Sequence, residues 1–182
     1  MAFDPASYDF DRFLRYDDMV AWLDLIAARR PDLVTLESYG HSYEGRKLWV
    51  LAITDQSTGS HDTKPAHWVD ANIHAVEVTG GVAALYLVHH LVNGFESGDP
   101  MVTEALRTRT FYVAPRVNPD GVEAALADRP LFHRASVRAG PGPTAIAGRV
   151  CTPKTSTVTG ASSPCAYPIR TEPGSSIPTT RG

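Results

Sequence analysis

The composition of this chain changes abruptly near residue 139. The 44 residues of 139–182 include seven Pro and six Gly but no Leu, Phe, Trp or Asp. All three Trp and all seven His of the 182-residue chain come before that point. A segment so poor in large apolar side chains cannot offset the conformational entropy that ordering costs. We therefore expect the fold to be built from residues 1–138 and predict that residues 139–182 are disordered or loosely attached.

The charge and hydropathy of the chain argue against two classes of partner. The formal net charge is −3, which offers no electrostatic attraction to nucleic acid or to an anionic membrane surface. No apolar run reaches the roughly 18 residues needed to span a bilayer, and the N-terminus lacks the basic and apolar regions of a signal peptide. We therefore expect a cytoplasmic protein. The two cysteines, Cys151 and Cys165, predict neither a disulfide framework nor a cysteine-bound zinc.

Hydrophobic periodicity predicts a mixture of helices and strands in residues 1–138. Strands are predicted at residues 33–39, 47–54, 66–72 and 110–117. Helices are predicted from an N-cap at Asp17 or Asp18 to about Arg30, at residues 79–92, and at residues 100–106 with Asp99 as the N-cap. This order indicates the α/β class, with a mixed, largely parallel sheet flanked by helices. The first two strands are expected to form a hairpin or meander.

A histidine and a glutamate stand three residues apart directly after the third predicted strand. On a helical turn, His74 and Glu77 would share one face, and both offer ligand atoms that zinc binds at about 2.0–2.2 Å. Ligand sites in α/β folds gather at the carboxyl ends of strands, so Asn118, which follows the fourth strand, is expected at the same edge. Taken alone, the spacing favours a solvated surface pair over a metal site.

Two further motifs are typical of turns when each is considered alone. Residues 118–121 read Asn-Pro-Asp-Gly and predict a turn that ends the fourth strand. Residues 42–46 read Ser-Tyr-Glu-Gly-Arg and predict a tight turn with charged flanks between the first two strands. Neither motif indicates a chemistry by itself.

Together and in this order, the three motifs resemble those of the M14 zinc carboxypeptidases. That family shows a Ser-x-Glu-Gly-Arg turn, then His-x-x-Glu after a strand, then Asn-Pro-Asp-Gly, and the resemblance covers about residues 15–138. It implies a carboxypeptidase-like fold, a zinc ion bound by His74 and Glu77, and a peptide or small amide as substrate. It also implies an arginine that stabilises the oxyanion. Spacing favours Arg134 for that role, with Arg129 and Arg138 as alternatives.

The resemblance is incomplete in one respect. The family's third zinc ligand, the arginine that binds the substrate's terminal carboxylate and the catalytic glutamate are all expected after residue 138. The family's catalytic domain is also substantially longer than this chain. A catalytic zinc normally has three protein ligands. We therefore expect residues 1–138 to be the N-terminal portion of a catalytic domain, and the chain as written to be a poor catalyst or inactive.

Residues 139–182 admit a second interpretation, as an out-of-frame reading of the gene. If each codon of residues 153–160 ends in G, the shifted frame encodes EDVDGDG, which resembles a segment of some bacterial members of the family. A frameshift would explain the change of composition and the missing site residues together. The competing interpretation is a natural Pro/Thr/Ser-rich linker.

Two functions other than peptide hydrolysis stay open from the sequence. One is a non-catalytic remnant or binding module that keeps part of the fold and binds no zinc. The other is a related zinc amidohydrolase that acts on small acyl-amino acids. The residues that would set a side-chain preference are expected outside the chain, so no such preference is predicted.

Overall fold

Two parallel strands end side by side at one edge of a four-stranded sheet. The computed structural model describes residues 3–130. The strands in this part of the chain are β1 (Val34–His41), β2 (Lys47–Ile53), β3 (Ala66–Asp70) and β4 (Thr110–Ala114). The α-helices are α1 (Tyr16–Arg29), α2 (Val78–Glu96), α3 (Pro100–Thr108) and α4 (Pro119–Ala125). Two short 3-10 helices cover Pro5–Ser7 and Gln56–Thr58.

The sheet has the strand order β1-β2-β4-β3 and is mixed. β1 and β2 form the predicted antiparallel hairpin, with an irregularity in register between Ser38 and Gly40. β2 also pairs antiparallel with β4. β3 pairs parallel with β4, and Asp70 lies opposite Ala114. The predicted α/β class with a mixed sheet is confirmed. One of the three strand pairings within residues 3–130 is parallel, so this part of the sheet is not largely parallel as expected.

One hydrophobic core joins the sheet to α1, α2 and α3. α1 contributes buried side chains at helical spacing, which are Met19, Trp22, Leu23 and Ile26. Complete burial of a Leu, Ile or Val side chain contributes about 1.5–3 kcal/mol to folding. The core residues with no exposed surface include Leu23, Leu51, Ile53, Val88, Val92, Leu106 and Val113. The predicted helix at residues 79–92 lies within α2, which buries one face in the core while residues such as Tyr86 and His90 are exposed.

The N-terminus of α1 is satisfied by a side chain from far along the chain. The predicted cap at Asp17 or Asp18 is wrong, because both residues lie in the first turn and Arg15 stands at the N-cap without a side-chain capping bond. Glu123 instead accepts a hydrogen bond from the Tyr16 amide at 2.8 Å, across 107 positions of sequence. By contrast, the predicted Asp99 cap of α3 is confirmed, since its carboxylate accepts from two amides of the first turn.

The Asn-Pro-Asp-Gly motif opens a helix instead of forming only a turn, which corrects the interpretation from sequence. The Asn118 side chain caps α4 by accepting from the Gly121 amide at 3.1 Å. Pro119 occupies the first helical position, where its missing amide proton costs nothing and its fixed φ suits the helix.

No helix among residues 3–130 is long and apolar enough to cross a membrane. The segment 139–182, which is predicted from composition to be disordered or read out of frame, lies outside the described residues.

Candidate metal centre

The backbone hydrogen bonds of β3 and β4 continue beyond the ends of the strands. The Ala71 amide donates to the Ala114 carbonyl at 3.0 Å, and the Val117 amide donates back to the Ala71 carbonyl at 2.9 Å. The Asn118 amide then donates to the Asn72 carbonyl at 3.1 Å. These bonds place the Asn118 cap of α4 directly beside the segment that leads to His74. The expectation that His74 and Asn118 follow strands that end at the same edge of the sheet is met.

His74 and Glu77 lie together on a single turn that precedes α2. The Glu77 amide donates to the His74 carbonyl at 3.2 Å, and Glu77 is the N-cap of α2. The His74 Nδ1 atom is 2.9 Å from the Glu77 Oε2 atom. The two side chains are 43% and 54% exposed, so their ligand atoms are accessible while the turn itself is held in place.

This pair borders a cavity of about 660 Å³ between the end of β3 and the first turns of α2. The cavity wall is mostly apolar, with Ile73, Ala84 and Leu87 among its residues. Apolar walls with a few convergent polar groups are characteristic of small-molecule sites. The two side chains that could bind a metal therefore stand at the edge of a space that could hold part of a ligand.

The donor atoms of His74 and Glu77 fit a zinc ion. Imidazole nitrogen and carboxylate oxygen are both common zinc ligands, and two ligand atoms on a tetrahedral ion at about 2.1 Å stand roughly 3.4 Å apart. The observed separation of 2.9 Å needs only a small side-chain movement to reach that value. Residues 3–130 contain no group of three or more His, Cys, Asp or Glu side chains placed to hold a metal. The described part of the chain thus offers two candidate ligands at this turn, His74 and Glu77.

A second polar cluster lies on the other side of Asn118 and connects the remaining two motifs. The Asp120 carboxylate, 5% exposed, accepts hydrogen bonds from the Ser42 hydroxyl at 2.8 Å and the Glu44 amide at 3.0 Å. It also accepts from the Arg46 guanidinium at 2.7 Å. Gly45 completes the turn with a φ of 83°, a conformation that favours glycine. We call this set of residues, 42–46 with Asp120, the hairpin corner.

The hairpin corner controls the ionisation of its central carboxylate. Burial raises the pKa of Asp120, but the three hydrogen bonds from the turn and the charge of Arg46 favour the ionised form more strongly. The net result is a pKa below the usual range for aspartic acid. Asp120 is therefore an anion at neutral pH, held by the turn that the Ser-Tyr-Glu-Gly-Arg motif forms.

Arg116 and Glu123 are two structural residues that the sequence motifs do not reveal. Arg116 is 6% exposed and donates to the Leu14 carbonyl at 2.7 Å. Burial lowers the pKa of its guanidinium to about 10, while the negative charge of Glu123, 3.6 Å away, acts in the opposite direction. Glu123 also binds Arg15 and the start of α1. No local signal predicts this cluster, because its members come together only in the folded chain.

The predicted oxyanion arginines are only partly within the described residues. Arg129 is exposed near the end of this part of the chain. Arg134, which the resemblance favours, and its alternative Arg138 lie outside it. Their roles stay predictions.

Residues 3–130 thus form a mixed α/β domain in which a histidine and a glutamate share one turn after the third strand. The family model described as "Zinc carboxypeptidase" matches residues 19–139. The chain belongs to this family, which confirms the resemblance seen in the three motifs.

Individual relatives agree with the family match. The chain is 32% identical over 132 residues to carboxypeptidase B of Astacus astacus, covering 72% of this chain and 41% of that protein. It is 33% identical over 116 residues to zinc carboxypeptidase A 1 of Drosophila melanogaster, covering 63% and 26%. The structure of carboxypeptidase A from Helicoverpa armigera superimposes with a TM-score of 0.65 at 26% identity, covering 77% and 32%. The chain thus spans less than half the length of these relatives.

Proposed function

We propose that His74 and Glu77 are two zinc ligands of a metallocarboxypeptidase that removes C-terminal residues from peptides. The observation that carries the proposal is the 2.9 Å approach of His74 Nδ1 to Glu77 Oε2 beside the 660 Å³ cavity. Family membership supports zinc as the metal and a peptide as the substrate. When bound, zinc supplies Lewis-acid polarisation of the scissile carbonyl and a water of lowered pKa.

The chain's own residues have distinct roles in this proposal. His74 and Glu77 hold the metal ion in place, and the negative charge of Glu77 offsets part of the charge of the ion. The apolar wall of the cavity excludes water from one side of the site. Arg134, with Arg129 and Arg138 as alternatives, donates to the oxygen that gains negative charge during hydrolysis.

The proposal requires a third ligand and a general base, which the resemblance to the family places after residue 138. For that reason we assign catalysis to the whole catalytic domain, of which residues 1–138 form the N-terminal portion. Sequencing of the gene tests this assignment. A shifted frame after about residue 138 that continues into a long open reading frame with a further His and Glu supports it. If every shifted frame closes quickly, the frameshift is excluded and residues 139–182 are a natural linker.

Zinc titration of this chain tests the two assigned ligands. A competition assay with a chromophoric chelator should show one weak zinc site in the wild-type chain, which His74→Ala and Glu77→Ala each remove. His90→Ala is the matched control, because His90 is an exposed histidine on α2 outside the site, and it should leave zinc binding unchanged. A wild-type chain that binds no zinc, or an unaltered affinity in His74→Ala, would favour a non-catalytic remnant.

The substrate class is tested on the full-length protein. Peptides with free C-termini should be hydrolysed with higher kcat/KM than N-acyl amino acids. The reverse preference would instead identify a zinc amidohydrolase that acts on small acyl-amino acids.

A further inference from the structure

The turn that carries both zinc donors is held by a residue with an unusual backbone conformation. Asn72 has a φ of 55°, in the left-handed region that L-residues other than Asn and Asp seldom adopt. This conformation redirects the chain after the end of β3 and turns it toward His74. Asn72 is 4% exposed, so its side chain is fixed inside the protein.

The side chain of Asn72 closes the turn on itself. Its Nδ2 atom donates to the Glu77 carbonyl at 2.7 Å. At the other end, its backbone carbonyl accepts from the Asn118 amide at 3.1 Å. Residues 72–77 therefore form a closed loop that is anchored to the end of β4, and both donor side chains project from it.

A glycine in α2 makes room for this side chain. A Cβ atom at Gly81 would stand 2.3 Å from Asn72 Oδ1, too close for any real contact. Asn72 Oδ1 is buried and has no hydrogen-bond partner among the residues that the structure describes. At the neighbouring Gly80, a Cβ would meet only the Ala71 Cβ, at an ordinary 3.9 Å. Gly81 is thus required by Asn72, whereas Gly80 is not.

We propose that Asn72 is a positioning residue that sets the placement of the zinc donors on the 72–77 turn, with Gly81 as its necessary neighbour. This inference rests on the proposed function, because it treats His74 and Glu77 as metal ligands. Asn72 is not one of the two proposed zinc ligands. It acts through the backbone of Glu77, in the way that groups outside the ligand set commonly orient metal ligands.

The two glycines and two Asn72 variants give a matched experiment on this chain with zinc chloride. Asn72→Gly keeps the left-handed backbone accessible and removes the side-chain bond, and it should weaken zinc binding by about tenfold. Gly81→Ala should weaken zinc binding by a similar factor, while Gly80→Ala should stay within about twofold of wild type. Both alanines raise helix propensity equally, so propensity cannot explain a difference between them. Asn72→Ala should bind zinc at least as weakly as Asn72→Gly does, because alanine at this left-handed position adds backbone strain.

A double variant tests whether Gly81 acts through Asn72. In Asn72→Gly the group that the new Cβ would strike is gone, so adding Gly81→Ala should weaken zinc binding much less than it does in the wild type. Full additivity of the two changes would overturn the pairing of Asn72 with Gly81. Zinc affinity in Asn72→Gly within twofold of wild type would overturn the positioning role itself.

Amide hydrogen exchange on the zinc-free chain separates this inference from the proposed function. Asn72→Gly and Gly81→Ala should speed exchange in the peptide covering residues 72–80 and leave β2 unchanged. If the wild-type chain binds no zinc, the proposed function fails, and exchange alone then decides the role of Asn72. Wild-type exchange across 72–80 in Asn72→Gly, or an equal rise throughout the chain, would show that Asn72 does not hold the turn.

Discussion

The hairpin corner and the turn of residues 72–77 lie on either side of the start of α4 and differ in how far their polar side chains are buried. At the hairpin corner, Asp120 is buried and three groups of the facing turn donate to it. In the 72–77 turn, the backbone is anchored but the His74 and Glu77 side chains are about half exposed. Asn118 connects them, because its Nδ2 is 3.4 Å from the Ile73 carbonyl and its Oδ1 caps the helix that carries Asp120.

This difference in burial predicts that the two regions contribute differently to the stability of the fold. A buried carboxylate with all its partners inside the protein contributes rigidity and is costly to disturb. His74 and Glu77, whose side chains are about half exposed, should contribute less to stability than a buried carboxylate does. A cavity of about 330 Å³ lies between the two regions, bordered by Tyr43, Ile73 and Asn118. The three family motifs therefore form one continuous structure, in which Asp120 is buried and His74 and Glu77 are about half exposed.

The largest effect should come from removing the carboxylate of the hairpin corner. Asp120→Ala leaves three donors of the 42–46 turn without their acceptor and Arg46 with only the more exposed Glu44 as a counter-ion. We expect a loss of about 3 kcal/mol in the free energy of unfolding, measured by urea denaturation. Asp128→Ala, at an exposed aspartate beyond α4, should change stability by less than about 0.5 kcal/mol. A loss below about 1 kcal/mol for Asp120→Ala would show that the corner is not rigid.

The pH dependence of stability should show the same carboxylate. The pKa of Asp120 in the folded chain lies below its usual value, and an unfolded aspartate has a pKa of about 3.9. Its stabilising contribution is therefore complete above that pH and is lost as the pH falls through the folded pKa. The difference in urea midpoint between wild type and Asp120→Asn should be largest at pH 7 and should shrink below about pH 4. A constant difference across this range would contradict the assignment.

A smaller effect is expected from the hydroxyl group of the same corner. Ser42 donates to Asp120 at 2.8 Å and accepts from the Arg46 amide at 3.0 Å. Ser42→Ala should cost about 1 kcal/mol, because two hydrogen bonds are lost but Asp120 keeps its other donors. Ser38→Ala is the matched control, since that exposed hydroxyl bonds only the nearby Gly40 carbonyl. Equal losses in the two variants would show that the corner adds nothing beyond an ordinary surface bond.

Local patterns predicted most of the fold, because helices and strands follow from apolar spacing and from turn residues nearby in sequence. The Asp99 cap is of this kind, and Asn118-Pro119 could have been recognised as a helix start from proline at the first helical position. The Glu123 cap of α1 could not, since its partner is 107 residues away. The burial of Arg116 likewise depends on Leu14, which lies at the other end of the described residues.

The candidate site was predicted unevenly for the same reason. His74 and Glu77 are three residues apart, so their spacing could be read directly, and the structure brings their ligand atoms together. Asn72 gives a weaker signal, because only the folded chain shows its left-handed backbone and its fit against Gly81. The role of Arg134, which lies outside the described residues, stays a prediction. The position of the third ligand, expected after residue 138, also stays a prediction.

The smallest effect on stability should come from His74 and Glu77, the two proposed metal ligands. His74 and Glu77 are 43% and 54% exposed, and ion pairs at such exposure contribute between about 0 and 1 kcal/mol. We therefore expect His74→Ala and Glu77→Ala to change the zinc-free unfolding free energy by less than about 0.5 kcal/mol while both remove zinc binding. Urea denaturation with a chelator present measures the first quantity, and the chelator competition assay measures the second. A destabilisation comparable to that of Asp120→Ala would show that His74 or Glu77 stabilises the fold. The contrast in stability between the 72–77 turn and the hairpin corner would then be wrong.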